Sequence, residues 1–480
     1  MKIALVNVNF RTSGAEQLLG YMTPLPLLLI GGALIKSGYK NIQLFDAANK
    51  NYDNDRVAKL IDEGDFNIIF ISNMASTASL PLVLDLAFKI KERCRFSKIV
   101  IGGVHSTYHY EEIMNDCDYV DFICRGEGES FCVHLVDAIS NNSSLSDVPG
   151  LVWRDGDGLI IKNNDSDPIN LNEYSAGWDL IEDWDCYVSP MTRERAAVVQ
   201  FSRGCPFSCS FCGQWDFWKV WRHKNLNLFV DEIEYLKNKY NVTCFVLADE
   251  NPQSNSEIWY SLLEEIKERA LGVHLILNLR VSDIIRDKDY LPLYKSAGIS
   301  MVDLGVESAS QKRLDFLNKK TTIDQNKEAI SLLRANDIVS IVQTIIGFSD
   351  ESIEGLEASF RLLESWKPDI LHFYHATPFR WTDYGKKIDN NLIIQNDYRY
   401  WDYKHQILKL NNISNETLSL FLAKFLFEYH FSSSSFYRLA EMNDRYNQGA
   451  LINAYFLNYK YNYIEKFKKL TPSQRQKLKT

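Results

Sequence analysis

The sequence predicts an α/β chain: a doubly wound parallel sheet, then a partial (β/α)6 barrel, then a helical C-terminal region. Two stretches of strand–helix alternation predict it, residues 1–142 and 191–390, joined by a polar connector at 143–190. A third observation completes the outline: residues 391–480 lose the strand pattern and become helical and rich in Tyr and Phe, as a cap would be. Six βα units are too few for a closed eight-fold barrel, so the second part is expected to stay open.

In the first part the candidate strands are Lys2–Asn9, Asn41–Ala47, Asn67–Asn73, Lys98–Gly103 and Val120–Cys124. All are short and apolar or β-branched, as strands buried on both faces must be. Among the intervening helices, Leu80–Arg93 carries Leu82, Val83, Leu86, Ala87 and Ile90 as one apolar stripe. Pro24 and Pro26 open an earlier helix that Gly38 ends. Ligands of such sheets bind beyond the carboxyl ends of the strands. The candidate binding positions there are Asn9, Ser72, Asn73, Gly103, His105, Gly126 and Glu127. Glycines at those ends let backbone approach a large flat ligand. No G-x-G-x-x-G follows the first strand, which argues against a dinucleotide.

The connector contains a hairpin, Gly150 to Lys162, around Asp155-Gly156-Asp157-Gly158, followed by Trp178, Trp184 and Tyr187 as packing aromatics. The second part offers strands Ala197–Ser202, Thr243–Asp249, Val273–Leu279, Ser300–Val306, Ile338–Ile346 and Ile370–Ala376. Helices such as Leu228–Tyr240 and Asp324–Asn336 intervene. The chemistry of a βα barrel sits at the carboxyl ends of its strands. Polar residues recur there: Glu250, Asn278, Arg280, Glu307, Gln343 and Thr344.

The first of these strands runs into Ser202-Arg203-Gly204 and then three cysteines, Cys205, Cys209 and Cys212, with Phe211 just before the last. Thiolates are soft ligands suited to zinc or iron–sulfur. Structural zinc takes four closed ligands, and His223 is the only nearby imidazole. Three thiolates on a four-iron cluster would instead leave one iron open. The other six cysteines sit mostly in apolar surroundings and read as small core residues of a reducing compartment.

Composition excludes several classes. A formal charge of -9 over 480 residues argues against a nucleic-acid binder. The opening Met1–Val6 lacks the layout of a signal peptide, and no apolar run approaches the ~18 residues of a membrane span. A cytoplasmic protein is expected.

The C-x-x-x-C-x-x-C spacing with Phe211 resembles the radical S-adenosylmethionine (SAM) enzymes. Placed after GGVHSTYHYEE and RGEGE, it resembles their cobalamin-dependent class. That resemblance implies a [4Fe-4S] cluster on Cys205, Cys209 and Cys212, with SAM chelated at the open iron. It implies SAM contacts from Glu250, Asn278, Arg280, Glu307, Gln343, Thr344 and Phe211. It also implies cobalamin in the first domain against Asn9, Ser72, Asn73, Gly103, His105, Gly126 and Glu127, with no D-x-H-x-x-G motif to name a cobalt ligand. Further segments, among them CPFSCSFCGQWDFWKVWR and LGVESASQKRLDFLNKKTTIDQNKEAI, resemble the anaerobic magnesium-protoporphyrin IX monomethyl ester cyclases. This implies oxidative cyclisation of a magnesium-porphyrin propionate ester, part of tetrapyrrole biosynthesis. The substrate would be a flat aromatic small molecule, and the electron donor a reductant such as flavodoxin or ferredoxin. Fold and cofactors alone leave two alternatives: a cobalamin-dependent methyltransferase or cyclase on another substrate, and a non-enzymatic cobalamin/iron–sulfur sensor.

Overall fold

The computed structural model describes residues 1–10, 22–72, 77–189, 192–435 and 438. Apolar strands covered on both faces build the first sheet. Its parallel strands are β1 (Ile3–Asn7), β2 (Ile42–Asp46), β3 (Ile68–Ser72), β4 (Lys98–Ile101) and β5 (Phe122–Cys124). The crossover helices include α1 (Leu25–Lys36), α2 (Asn54–Gly64), α3 (Leu80–Arg93) and α6 (Gly128–Ser140). Two short ones, α4 (Val104–Tyr108) and α5 (Tyr110–Asp116), follow β4. The order is β2-β1-β3-β4-β5-β6-β7.

The last two strands are the hairpin expected in the connector, β6 (Leu151–Arg154) and β7 (Ile160–Lys162). It does not stand apart. β6 pairs antiparallel with β5, Ile123 against Val152, and so covers an edge that would otherwise offer unpaired backbone. The connector aromatics are core: Trp178, Trp184 and Tyr187 are buried, and the Tyr187 hydroxyl donates to Asp46 at 2.6 Å. The Gly177 N–H donates to the Leu28 carbonyl at 2.8 Å. A Cβ on Gly32 of α1 would lie 1.8 Å from the Ser175 carbonyl oxygen, so that helix face must carry glycine there.

The second sheet is the expected half-barrel of six parallel strands in chain order. They are β8 (Arg195–Val199), β11 (Val242–Leu247), β12 (His274–Arg280), β13 (Ile299–Glu307), β14 (Val339–Ile346) and β15 (Ile370–His375). The small β9 (Ser202–Arg203) and β10 (Arg222–His223) pair beside it. Helices α7 (Leu226–Tyr240), α8 (Ser256–Glu268), α9 (Ile323–Ala335) and α10 (Ile353–Trp366) lie among the crossovers. Strand alternation sorts the barrel's side chains. Leu275, Leu277, Leu279, Val302, Leu304 and Phe373 join the outer apolar core. Residues between them face the lumen.

The expected C-terminal region, residues 391–480, contains the helix α11 (Asn415–His430). It packs against α10 and the edge strand β15, with Phe425 4.3 Å from Phe360 and 6.2 Å from Phe373 between ring centroids, and with the Leu371 N–H donating to His430 Nε2 at 3.1 Å. Residues 376–411, the last twenty-one of them within that expected region, cross the mouth: the Gln406 amide donates to the Gly347 carbonyl at 2.7 Å, and the His375 N–H donates to the Tyr403 carbonyl at 2.7 Å. Residues 436–480, Arg438 excepted, lie outside the described residues.

Candidate active site

The cysteine loop is anchored from beneath by Asp249, at the end of β11. Its carboxylate accepts from the Phe201 N–H at 3.0 Å and from the Ser202 hydroxyl at 2.5 Å. Burial pushes that carboxyl up to about 6, and the donated hydrogen bonds oppose the shift. Gly204 turns the chain at φ +95°, where a Cβ would sit 2.5 Å from the Val220 carbonyl oxygen, so only glycine fits. Its N–H donates to Glu250 at 3.2 Å. Further along, the Ser210 N–H donates to the Leu317 carbonyl at 3.0 Å and the Asn318 amide to the Ser208 carbonyl at 2.8 Å.

Donors meet the sulfurs. Arg280 donates to Cys209 Sγ at 3.3 Å and to the Lys319 carbonyl at 2.7 Å, and its guanidinium lies 3.6 Å from the Phe207 ring centroid. The Asn251 amide is 4.0 Å from Cys205 Sγ. Burial pushes the Cys205 thiol up, while the Phe207 N–H and Arg280 pull it back towards the thiolate. Such donors fit the charge of an iron–sulfur cluster. Among the described residues no three His, Cys, Asp or Glu side chains converge on a single-ion position.

A cavity of about 430 Å³ opens at the barrel mouth beside Cys212. Phe211, Glu307 and Gln343 line it, together with Tyr374, Trp381 and Tyr403. Glu307 sits at φ +65°, held by a buried ion pair with Lys319 at 2.7 Å. Asn278 is exposed in mid-strand, towards the lumen. Thr344, neighbouring Gln343 on one strand, faces the other way, buried, with its hydroxyl donating to the His372 carbonyl at 3.3 Å.

A second cavity of about 250 Å³ lies at the carboxyl ends of β3, β4 and β5, lined by Ser72, Gly103, Gly126 and Glu127. Its opposite wall belongs to the barrel: Gln200, Arg203, Trp218 and Glu250. Glu250, expected at the SAM site, thus faces the first domain. Burial, and then Asp249, pushes it up to about 7. Glu127 is engaged in ion pairs with Arg203 and Arg222, and Arg203 also pairs with Glu129, all buried or nearly so. These pairs join the RGEGE segment directly to the residue two positions before Cys205.

Two further expected positions lie apart from this cavity. Asn9 does not line this cavity; its amide donates to Asn51 at 3.2 Å. His105 does not line it either, because its ring is packed at 4.5 Å on His109, 4.9 Å from Tyr398 and 5.8 Å from Trp381. Among the described residues no histidine lines the cavity. Asn73 lies outside the described residues, as does the Trp215 side chain. Gln200, Arg203 and Gln214 escaped the sequence reading, because their pairing with the first domain is set by contacts far apart in the chain. Val104 and Gln214 line both cavities, so the two sites meet across one shared wall.

Family comparison bears on both halves. A B12 binding domain matches residues 14–136, and the radical SAM superfamily matches residues 199–363. The chain is 31% identical over 452 residues to the anaerobic magnesium-protoporphyrin IX monomethyl ester cyclase of Rubrivivax gelatinosus, covering 90% of this chain and 79% of that protein. The chain belongs to the cobalamin-dependent radical SAM enzymes. The cyclase of Synechocystis sp. is 34% identical over 409 residues, covering 85% of this chain and 81% of that one. An uncharacterized methyltransferase from Pyrococcus horikoshii is 27% identical over 438 residues, covering 88% of this chain and 91% of that one.

Among solved structures, the cobalamin-dependent SAM radical enzyme OxsB, with aqua-cobalamin and SAM bound, superposes with a TM-score of 0.70 at 17% identity. The match covers 100% of this chain and 70% of that one. As an enzyme of this class the chain takes a [4Fe-4S] cluster, SAM and cobalamin. No helix among the described residues is long and apolar enough to cross a membrane.

Proposed function

We propose that this enzyme performs the oxygen-independent oxidative cyclisation of a magnesium-porphyrin propionate ester. One observation carries the reading: three anaerobic cyclases match at 31% to 34% identity across both domains, above the 23% to 27% of the methyltransferase and methylase relatives. The mouth cavity supports it, since the faces of Phe211, Tyr374, Trp381 and Tyr403 suit a planar macrocycle. The cluster with SAM supplies a deoxyadenosyl radical for hydrogen abstraction, and cobalamin supplies one-electron chemistry.

The chain's own residues position these partners. Cys205, Cys209 and Cys212 hold the cluster, and Arg280 and Asn251 stabilise its thiolates. Glu307, Gln343, Asn278 and Phe211 contact SAM at the mouth. Ser72, Gly103, Gly126 and the barrel residues Gln200 and Glu250 contact cobalamin in the second cavity. Residues 1–142, 143–190, 191–390 and 391–480 serve as cobalamin domain, connector, barrel and C-terminal region. A flavodoxin or ferredoxin delivers electrons in the cytoplasm.

C-methyl transfer is the second reading, favoured by the Pyrococcus horikoshii relative that spans 88% of this chain. The experiment is anaerobic: protein reconstituted with iron, sulfide and hydroxocobalamin receives SAM, a reductant and magnesium-protoporphyrin monomethyl ester. Protochlorophyllide by mass supports the cyclase. Deoxyadenosine or S-adenosylhomocysteine without porphyrin turnover moves the assignment to methyl transfer or another substrate.

A further inference from the structure

Below the mouth, the lumen of the half-barrel is polar. Alternation turns Asn278, Asp303, Gln343, His372 and Tyr374 inward while Val302, Leu304, Leu371 and Phe373 pack outward. In register, Asn278 lies beside Asp303 and Gln343 beside His372. Lys404 of the segment crossing the mouth reaches down to 5.1 Å from the Tyr374 ring. Three buried atoms have no hydrogen-bond partner among the described residues: Asp303 Oδ1 and both ring nitrogens of His372. Leaving such atoms unmet costs about 1–3 kcal/mol each, so a fold that retains three in one polar lumen is built to meet a polar ligand there. Both residues are half-buried rather than fully enclosed.

The geometry points to the barrel lumen as the proton-accepting half of the active site, with Asp303 as the base and His372 orienting the water it deprotonates. This rests on the cyclase reading, in which an oxygen must be added to the substrate without O2. A substrate carbon that has given a hydrogen atom to the deoxyadenosyl radical, and an electron to a one-electron acceptor of the corrinoid or iron–sulfur class, takes up the water's lone pair. The C–O bond forms, one O–H bond breaks, its proton passes to the Asp303 carboxylate, and an alcohol results. The electrostatics suit these roles. Burial pushes the Asp303 carboxyl up to about 7, with Gln343 and Lys404 opposing and Glu307 assisting the shift. Near-neutral values are where a general base is most effective. Burial lowers His372 to about 3, helped by Lys404 and His430, so it stays a neutral donor and acceptor.

The test uses reconstituted full-length wild type, Asp303→Asn and His372→Phe. Each is given SAM, reductant and magnesium-protoporphyrin monomethyl ester, and deoxyadenosine and oxygenated porphyrin are counted together. The expected result is SAM affinity within about twofold of wild type, deoxyadenosine still formed, and oxygenated porphyrin per deoxyadenosine down at least ~100-fold in Asp303→Asn, the lower range for loss of a general base. His372→Phe is expected to uncouple in the same direction by at least ~10-fold, as loss of an orienting group would. A purely structural role would lower both counts together. Unchanged product per deoxyadenosine in both variants, or loss of SAM binding in both, overturns the inference and leaves the cyclase reading standing. Failure of the wild type to oxygenate the porphyrin overturns the cyclase reading and this inference with it.

Discussion

Replacing Arg203 with Met tests the seam between the domains. Arg203 is 4% exposed and pairs with Glu127 and Glu129, whose side chains are 8% and 5% exposed. Glu127 keeps Arg222 and the Ile169 N–H, so the loss falls on Glu129. Methionine retains most of the buried volume, leaving the packing change below about 1.5 kcal/mol. Stranding a buried carboxylate costs about 3–5 kcal/mol. Protonation sets a ceiling on that cost: at pH 7.5, taking up a proton against an unfolded value of about 4.3 costs about 4 kcal/mol, and at pH 5.5 under 2 kcal/mol.

Burial pushes Glu129 up, but Arg203 outweighs it and holds the carboxyl below its usual value. Wild type therefore gains stability above about pH 4.3 and loses it as pH falls through the lowered native value. The variant, with its carboxyl raised, loses stability as pH rises. Denaturant unfolding followed by tryptophan fluorescence should give a destabilisation of about 3–4 kcal/mol at pH 7.5 that at least halves at pH 5.5. Adding Glu129→Gln should recover most of it. A loss under about 1 kcal/mol, or one equal at both pH values, would refute the assignment of a buried, charge-balanced seam.

Three other outcomes follow from the same geometry. Cys209→Ala should abolish the cluster's visible absorbance and deoxyadenosine formation together, by spectroscopy and chromatography. Arg280→Met removes a charge-assisted hydrogen bond to Cys209 worth about 1.5–3 kcal/mol; deoxyadenosine formation should fall about 10- to 100-fold with the cysteines intact. Glu250→Gln should flatten stability against pH, because a carboxyl raised to about 7 costs the wild type stability as pH climbs from about 4.3 through 7, the loss being fully present above 7. Thermal melts from pH 4 to 8 measure it, and parallel curves for the two proteins would contradict the burial of that charge.

The strands and the cofactor class were legible because they rest on local pattern. Leu80–Arg93 is read to the residue from one apolar stripe, and all six barrel strands from β-branched runs. Side-chain direction was legible too, where alternation was followed: Gln343 and Thr344 are neighbours, so only one can face the mouth. What local pattern does not carry is pairing at a distance. Arg203 finds Glu129 across 74 positions. His105 meets Trp381 and Tyr398 from a segment far down the chain, which is why a histidine beside a glycine turn read as a ligand and is a packing residue. The hairpin's β6 and β7 were recognisable as a hairpin, but joining the first sheet depended on the open edge of β5.

These distant contacts explain how two separately wound domains act on one substrate. The seam is fixed on one side by the Arg203 ion pairs and on the other by Tyr108 stacked at 5.4 Å on Trp381. Between those two clamps lies the wall formed by Val104 and Gln214, with Cys212 next to it on the mouth side. Both clamps use groups adjacent to the chemistry: Arg203 precedes the first cysteine, and Trp381 lines the mouth. A shift of either domain would therefore displace the cluster loop and the substrate wall together. An enzyme that must bring a radical and a second cofactor to one carbon needs that rigidity more than it needs a larger interface, since a misplacement of about 1 Å can cost 100-fold in rate.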